Sequence, residues 1–164
     1  MTVEHVEVIV EEPSMEAVLR VLLPRMVQGA STAIRQHQCK ADLLARLPER
    51  LRGYAAWLPE TWRIIVLIDR DDDDCRMLKT RLEQTARRAG LKTRSATRRG
   101  PYTIINRVVI EELEAWFFGD WEAVRRAYPK VNATIPSQAK FRNPDAIKGG
   151  TPAAAGIMTA DGAV

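Results

Sequence analysis

Residues Val66 to Cys75 read VLIDRDDDDC: an apolar run passes straight into five aspartates, interrupted only by Arg70. Neighbouring carboxylates repel one another and cost stability unless a cation sits among them or water screens them. The stretch therefore marks either a solvated helix start or a cation site. Asp69 and Asp71 stand two apart, so in a strand that persists through them both side chains leave on one face and can meet one ion. Asp72, Asp73 and Asp74 are accounted for by the favourable field at a helix N-terminus and take no catalytic role. Hard carboxylate oxygens suit Mg²⁺ or Mn²⁺, which take one or two protein carboxylates and complete their shell with water and substrate phosphate. Two such ions roughly 4 Å apart can hold the attacking and leaving oxygens of a phosphodiester.

Two other apolar runs also end in acids: HVEVIV in Glu11 and Glu12, and YTIINRVVI in Glu111, Glu112 and Glu114. Glu11 with Glu112 or Glu114 would supply the remaining ligands or a general base, while Glu12 and Glu16 read as solvated first-turn residues. Lys79 and Arg107 are cations able to steady phosphate charge in a transition state. Arg107, flanked by apolar strand residues, equally suits a pairing with an interior acid.

Other chemistries fit the letters less well, and a phospho-aspartate mechanism is disfavoured without being excluded. A calcium loop starting at Asp69 needs glycine at its sixth position and glutamate at its twelfth, where Asp74 and Thr80 stand. A phospho-aspartate motif of the haloacid dehalogenase kind follows a first strand and carries Thr or Val where Asp73 lies. Neither His5 nor His37 has zinc-ligand spacing, and no phosphate-binding GxxxxGK[ST] loop occurs. No Ser-His-Asp or Cys-His constellation is visible, which suits a reaction driven by a metal-activated water.

Elements must bring the distant acids together. His5 to Val10 predicts a strand, and Ser14 a cap for a helix with Val18, Leu19, Leu22, Leu23 and Met26 on one face, kinked or ended by Pro24. A second helix is predicted from about Lys40, with Leu43, Leu44, Leu47 and Leu51 in one stripe and Pro48 weakening its middle. Trp62 to Ile68, rich in β-branched residues without alternation, predicts a central parallel strand covered on both faces. Cys75, Leu78, Leu82 and Ala86 predict the next helix, stopped by Gly90. Leu91 to Thr97 reads as an outer strand and Tyr102 to Ile110 as a third buried one. A short helix through Trp116 and Phe117 and another from Asp120 to Tyr128 follow. Trp116, Phe117, Phe118 and Trp121 read as core or a partner-helix groove rather than a base-stacking platform.

The fold class expected is α/β, a central mostly parallel sheet flanked by helices on both faces. In such sheets ligands gather at the carboxyl ends of the strands, where acids far apart in sequence converge. The 164 residues, 46% apolar, fit one domain to about residue 147, with an irregular or disordered tail over 148–164. No apolar stretch approaches the roughly 20 residues that span a bilayer, so no membrane role is expected. Cys39 and Cys75 show no paired spacing and the first residues are acidic, which makes a reducing cytoplasm the default. The net charge is +4, with Arg87, Arg88, Lys92, Arg94, Arg98 and Arg99 crowded together, which admits a polyanionic partner such as nucleic acid.

The order VIVEEPSMEAVL, then VLIDRDDDDC, resembles a Toprim domain, the fold shared by topoisomerases, primases and OLD-type nucleases. Its signature is a strand-terminal Glu followed, after another strand, by a DxD; the likeness places these on Glu11 and on Asp69 and Asp71, with Glu12 where the signature has Gly. DRDDDDCRMLKTRL, VVIEELEAWFFGDWEAV and FRNPDAI together resemble a bacterial family of Toprim-like domains of unknown function, often encoded beside AAA or ABC-type ATPases in mobile or defence loci. The likeness runs to about Ile147 and implies Glu112 and Glu114 as the later acids. It further implies a Toprim-like fold, Mg²⁺ or Mn²⁺ as cofactor and nucleic acid as substrate. The activity implied is that of a nuclease, as effector of an ATPase-linked phage-defence system. The alternatives are a non-catalytic regulatory or binding subunit of an ATPase complex and a phosphatase acting on a small molecule. Members of that family continue past FRNPDAI into further helix, whereas GGTPAAAGIMTADGAV reads as an atypical end.

Overall fold

β1 (His5–Val10) is buried at every residue after the first, so it must be covered on both faces. It lies inside a four-stranded sheet of order β2-β1-β3-β4, with β2 (Ser31–Gln36), β3 (Trp62–Asp69) and β4 (Ile104–Val109), and every neighbouring pair is parallel. α1 (Pro13–Met26), α2 (Lys40–Trp57) and α3 (Cys75–Arg88) make the crossovers. The chain steps one way from β1 to β2 and the other way from β2 to β3 and β3 to β4. Right-handed crossovers then put α1 on one face and α2 and α3 on the other. The α/β expectation holds.

The structure is a computed structural model and describes residues 2–97, 99–109, 117–139 and 141–143. Contacts divide the chain into two units, residues 1–109 and 110–164.

The core of the first unit follows from strand alternation. Ile9, Ile64, Val66, Ile68 and Ile104 join Leu43, Leu47 and Leu51 of α2 and Leu78, Leu82 and Ala86 of α3 in one cluster. Val6, Val8 and Val10 have the other parity, and α1 buries Met15, Leu19 and Leu23.

Local expectations fare unevenly. β2 was not foreseen: it is a short edge strand, polar and largely exposed, that follows Gly29 in the left-handed region (φ 83°). Leu91 to Thr97 is not a strand; Thr93 makes one isolated bridge to Ile104 before the chain turns. α1 starts from Glu12 with Pro13 as its first helical residue, and Ser14 donates its hydroxyl to the Glu12 carboxylate instead of capping. Pro24 lies two residues from the end of α1, whereas α2 runs on past Pro48 with Leu47 and Leu51 buried around it. Asp74 caps α3 as expected, accepting from the N–H groups of Arg76 and Met77, and Gly90 after the helix takes a positive φ of 84°.

In the second unit, a 3₁₀ turn (Phe117–Asp120) leads into α4 (Trp121–Ala127), capped by Asp120 through the Ala123 N–H. Phe118 is buried and stacks on Trp121 and Phe141, so these rings serve a core. Trp116, the Phe117 side chain and the tail from residue 144 lie outside the described residues. No described helix is long and apolar enough to cross a membrane.

Leu51 is fully buried between α2 and the sheet. Leu51→Ala is expected to destabilise the fold by about 2–5 kcal/mol, read as a lower urea midpoint at unchanged slope.

Candidate acidic site at the carboxyl edge

With every strand parallel, β1, β2 and β3 end at one edge of the sheet, in Val10, Gln36 and Asp69. Glu11 follows β1 and is 8% exposed, as is Asp69. The Asp69 N–H donates to Glu11 Oε2 at 3.2 Å, so the Glu11 carboxylate reaches the end of β3. Burial first, then the Asp69 charge, pushes the Glu11 carboxyl up to about 7; the Asp69 N–H and Lys40 act against the rise and Asp71 adds to it. Glu11 therefore exchanges its proton near neutrality, as a general base or acid requires.

Asp71 reaches this corner by another route than a continued strand. β3 stops at Asp69, the Arg70 N–H still bonds the Val109 carbonyl, and Asp71 then takes a left-handed φ of 48°, rare for a residue with a side chain. The two aspartates do not project side by side from one extended segment. Asp71 is exposed and its carboxylate lies 2.6 Å from Lys40 Nζ, which also reaches Asp73 and the Arg70 carbonyl at 3.0 Å each. Burial opposes the Lys40 charge, but Asp71 and Asp73 outweigh it and hold the ammonium above its ordinary range.

Lys40 is the cation that the aspartate run called for, and sequence reasoning missed its role. It is the first residue of α2, delivered to this edge by the crossover from β2. His37 was missed as well. Its N–H bonds the Val10 carbonyl at 2.9 Å, which places it beside Glu11 along the edge. Its Nδ1 lies 2.9 Å from Asp42 Oδ2, while its buried Nε2 has no hydrogen-bond partner. The bond from His37, with Arg46 also contributing, holds the Asp42 carboxyl below its usual range.

Lys79 packs against β4, with its ammonium 3.0 Å from Glu83 and bonded to the Asn106 carbonyl. Glu83 also accepts from Asn106 Nδ2 at 3.0 Å; burial works against its charge, but Thr93, Asn106 and Lys79 hold the carboxyl below its usual range. Lys79 thus serves a buried network of α3 and β4. Arg107 is an exposed residue of β4, in register with Leu67; it is not in the interior. Glu112 and Glu114 lie outside the described residues.

Among the described residues, no three His, Cys, Asp or Glu side chains come together as a metal-binding group. Glu11 and Asp69 still fit a divalent ion of the Mg²⁺ class, which takes one or two carboxylates and fills its shell with water and phosphate.

The Glu11 shift has a consequence for stability. Its folded pKa, about 7, is above the ordinary 4.5, so between these values the folded chain keeps a proton that the unfolded chain releases. Stability falls as pH rises through this window and levels off above it. Glu11→Gln is expected to raise stability at pH 8 by up to about 3 kcal/mol and to change it little at pH 4, measured as Tm across the range.

No curated protein and no solved structure matches the chain. One family model covers residues 10–157, a span that holds Glu11, Asp69, Asp71 and the later acids Glu112 and Glu114. By that match the chain belongs to DUF4276, a family defined as a domain of unknown function.

Proposed function

We propose that the chain hydrolyses phosphodiester bonds of nucleic acid with the help of Mg²⁺ or Mn²⁺, as a Toprim-like nuclease acting beside an AAA or ABC-type ATPase. The observation that carries this reading is the meeting of Glu11 and Asp69 at the ends of two paired parallel strands, with Glu11 titrating near neutrality. Asp69, with Asp71, would hold the ion. When bound, the ion supplies charge neutralisation at the phosphate and an acidified water.

The chain's own groups do the rest. Glu11 accepts a proton from water at its carboxylate, poised by burial against Asp69. Lys40 offsets the acid cluster and holds Asp71 and Asp73 in place before substrate arrives. Lys79 and Arg107 are less suited to the phosphate roles first expected, since Lys79 is engaged by Glu83 and Arg107 lies out on β4.

The test is incubation of the full chain with plasmid, single-stranded DNA and RNA in Mg²⁺, Mn²⁺ or EDTA. Cutting is expected with either metal, to vanish in EDTA, and to fall roughly hundredfold or more in Asp69→Ala. Its rate should rise with pH as Glu11 loses its proton and level off by about 7, and Glu11→Gln should flatten that profile. Binding without cutting, even with an added ATPase of the AAA or ABC type, would contradict the catalytic reading and favour a regulatory subunit. Turnover of a small phosphate ester with intact polymer would contradict the nuclease.

A further inference from the structure

The opposite edge of the sheet, where β1 and β3 begin, carries two cavities that the acidic site does not use. β1 is six residues long, so the two edges are roughly 20 Å apart. The first cavity, about 380 Å³, has an aromatic wall: His5 against Trp62 at 3.9 Å between centroids, Trp57 edge-on to Trp62 at 5.5 Å, and Tyr54 beside Trp57. Its volume is in the range of small-ligand sites, roughly 300–1,000 Å³. Trp57 is 56% exposed, an unusual state for so large an apolar side chain.

The charges in this cavity are arranged around Glu7, which is almost fully buried in an otherwise apolar strand. Arg35 Nε and the Tyr54 hydroxyl each donate to Glu7 Oε1 at 2.6 Å, and His5 Nε2 lies 3.0 Å from Oε2. Burial pushes the Glu7 carboxyl up, yet Tyr54, Arg35 and His5 outweigh it and keep it below the usual range, so Glu7 anchors Arg35 as an ion pair. Arg50 is a further cation in the lining; its side chain bonds Tyr54, while its solvent-shielded Nε has no hydrogen-bond partner. A buried donor left unmatched is costly, and an anionic acceptor in the cavity would match it.

Trp62 also lines the second cavity, about 220 Å³, together with Arg63, Lys92 and Tyr102. The guanidinium groups of Arg63 and Arg94 lie over the Tyr102 ring at 5.5 and 5.4 Å. Aromatic rings and cations thus line both cavities, which share Trp62. An unstacked base needs a ring to stack on and its phosphate needs a cation, whereas a duplex offers no free base face.

We propose that the amino edge of the sheet binds single-stranded nucleic acid, with one base against Trp57 and Trp62, its phosphate at Arg50, and the strand continuing past Trp62 toward Lys92 and Tyr102. The choice of nucleic acid rests on the functional reading above, but this binding requires no metal and no cutting.

The test is fluorescence anisotropy of a short labelled oligothymidylate with the full chain in EDTA, beside Trp57→Leu, Arg50→Gln and Asp69→Ala variants of unchanged Tm. Wild type and Asp69→Ala are expected to bind alike, Trp57→Leu roughly tenfold more weakly, and duplex DNA more weakly than the single strand. Arg50→Gln should lower affinity and reduce the salt slope by about one. The proposal is overturned if oligothymidylate does not bind, if Trp57→Leu and Arg50→Gln bind like wild type, or if Asp69→Ala alone abolishes binding. Displacement by thymidine monophosphate at the oligonucleotide's own concentration would also overturn it, since a free nucleotide would then be the ligand. Intact binding without cutting in Mg²⁺ would count against the nuclease alone.

Discussion

Two carboxylates held together at the ends of neighbouring strands constrain the carboxyl edge of this protein. Glu11 and Asp69 are both mostly shielded from water, and bringing them together costs free energy that the fold must offset. It does so in three ways: the Asp69 N–H bonds Glu11, Lys40 brings a positive charge nearby, and Glu11 keeps its proton up to about neutral pH. An arrangement of this kind adds nothing to stability that an apolar pair would not. Its cost is understandable where carboxylates are needed to hold a cation or move a proton.

The path to that geometry runs through the crossovers. β1 pairs with β3 directly, so Glu11 and Asp69 are brought side by side by the sheet itself. Lys40 arrives because α2 begins just after β2, at the same edge. Asp71 turns into the left-handed region, and its ion pair with Lys40 helps to hold that strained conformation. The acids and the lysine therefore belong to one local charge balance, in which a divalent ion and the ammonium would compete for the same carboxylates.

Much of this was legible in the residues. HVEVIV closes up to an apolar end, WRIIVLI is apolar without alternation and YTIINRVVI is mostly apolar, and each holds a strand: β1, β3 and, over Ile104–Val109, β4. Their acidic endings located the edge and two of the acids on it. β2 was not legible because STAIRQ is short, polar and at the edge of the sheet, where half-exposed strands lose their pattern. Without β2 the role of α2's first residue could not be inferred, which is why Lys40 was missed. The amino-edge cavity left one trace in the sequence, the single acid Glu7 within an apolar strand; its partners Arg35 and Tyr54 come from other elements and only the fold assembles them.

The sheet thus carries different chemistry at its two ends: proton-exchanging acids at one and aromatic rings with arginines at the other. Both depend on parallel strands that place all their carboxyl ends together, and the acidic end holds the central claim. An NMR titration following the side-chain carboxyl carbon of Glu11 tests it most directly. A midpoint of about 7 is expected, falling in Asp69→Asn and on addition of Mg²⁺. A midpoint at the ordinary 4.5, unmoved by either change, would contradict it.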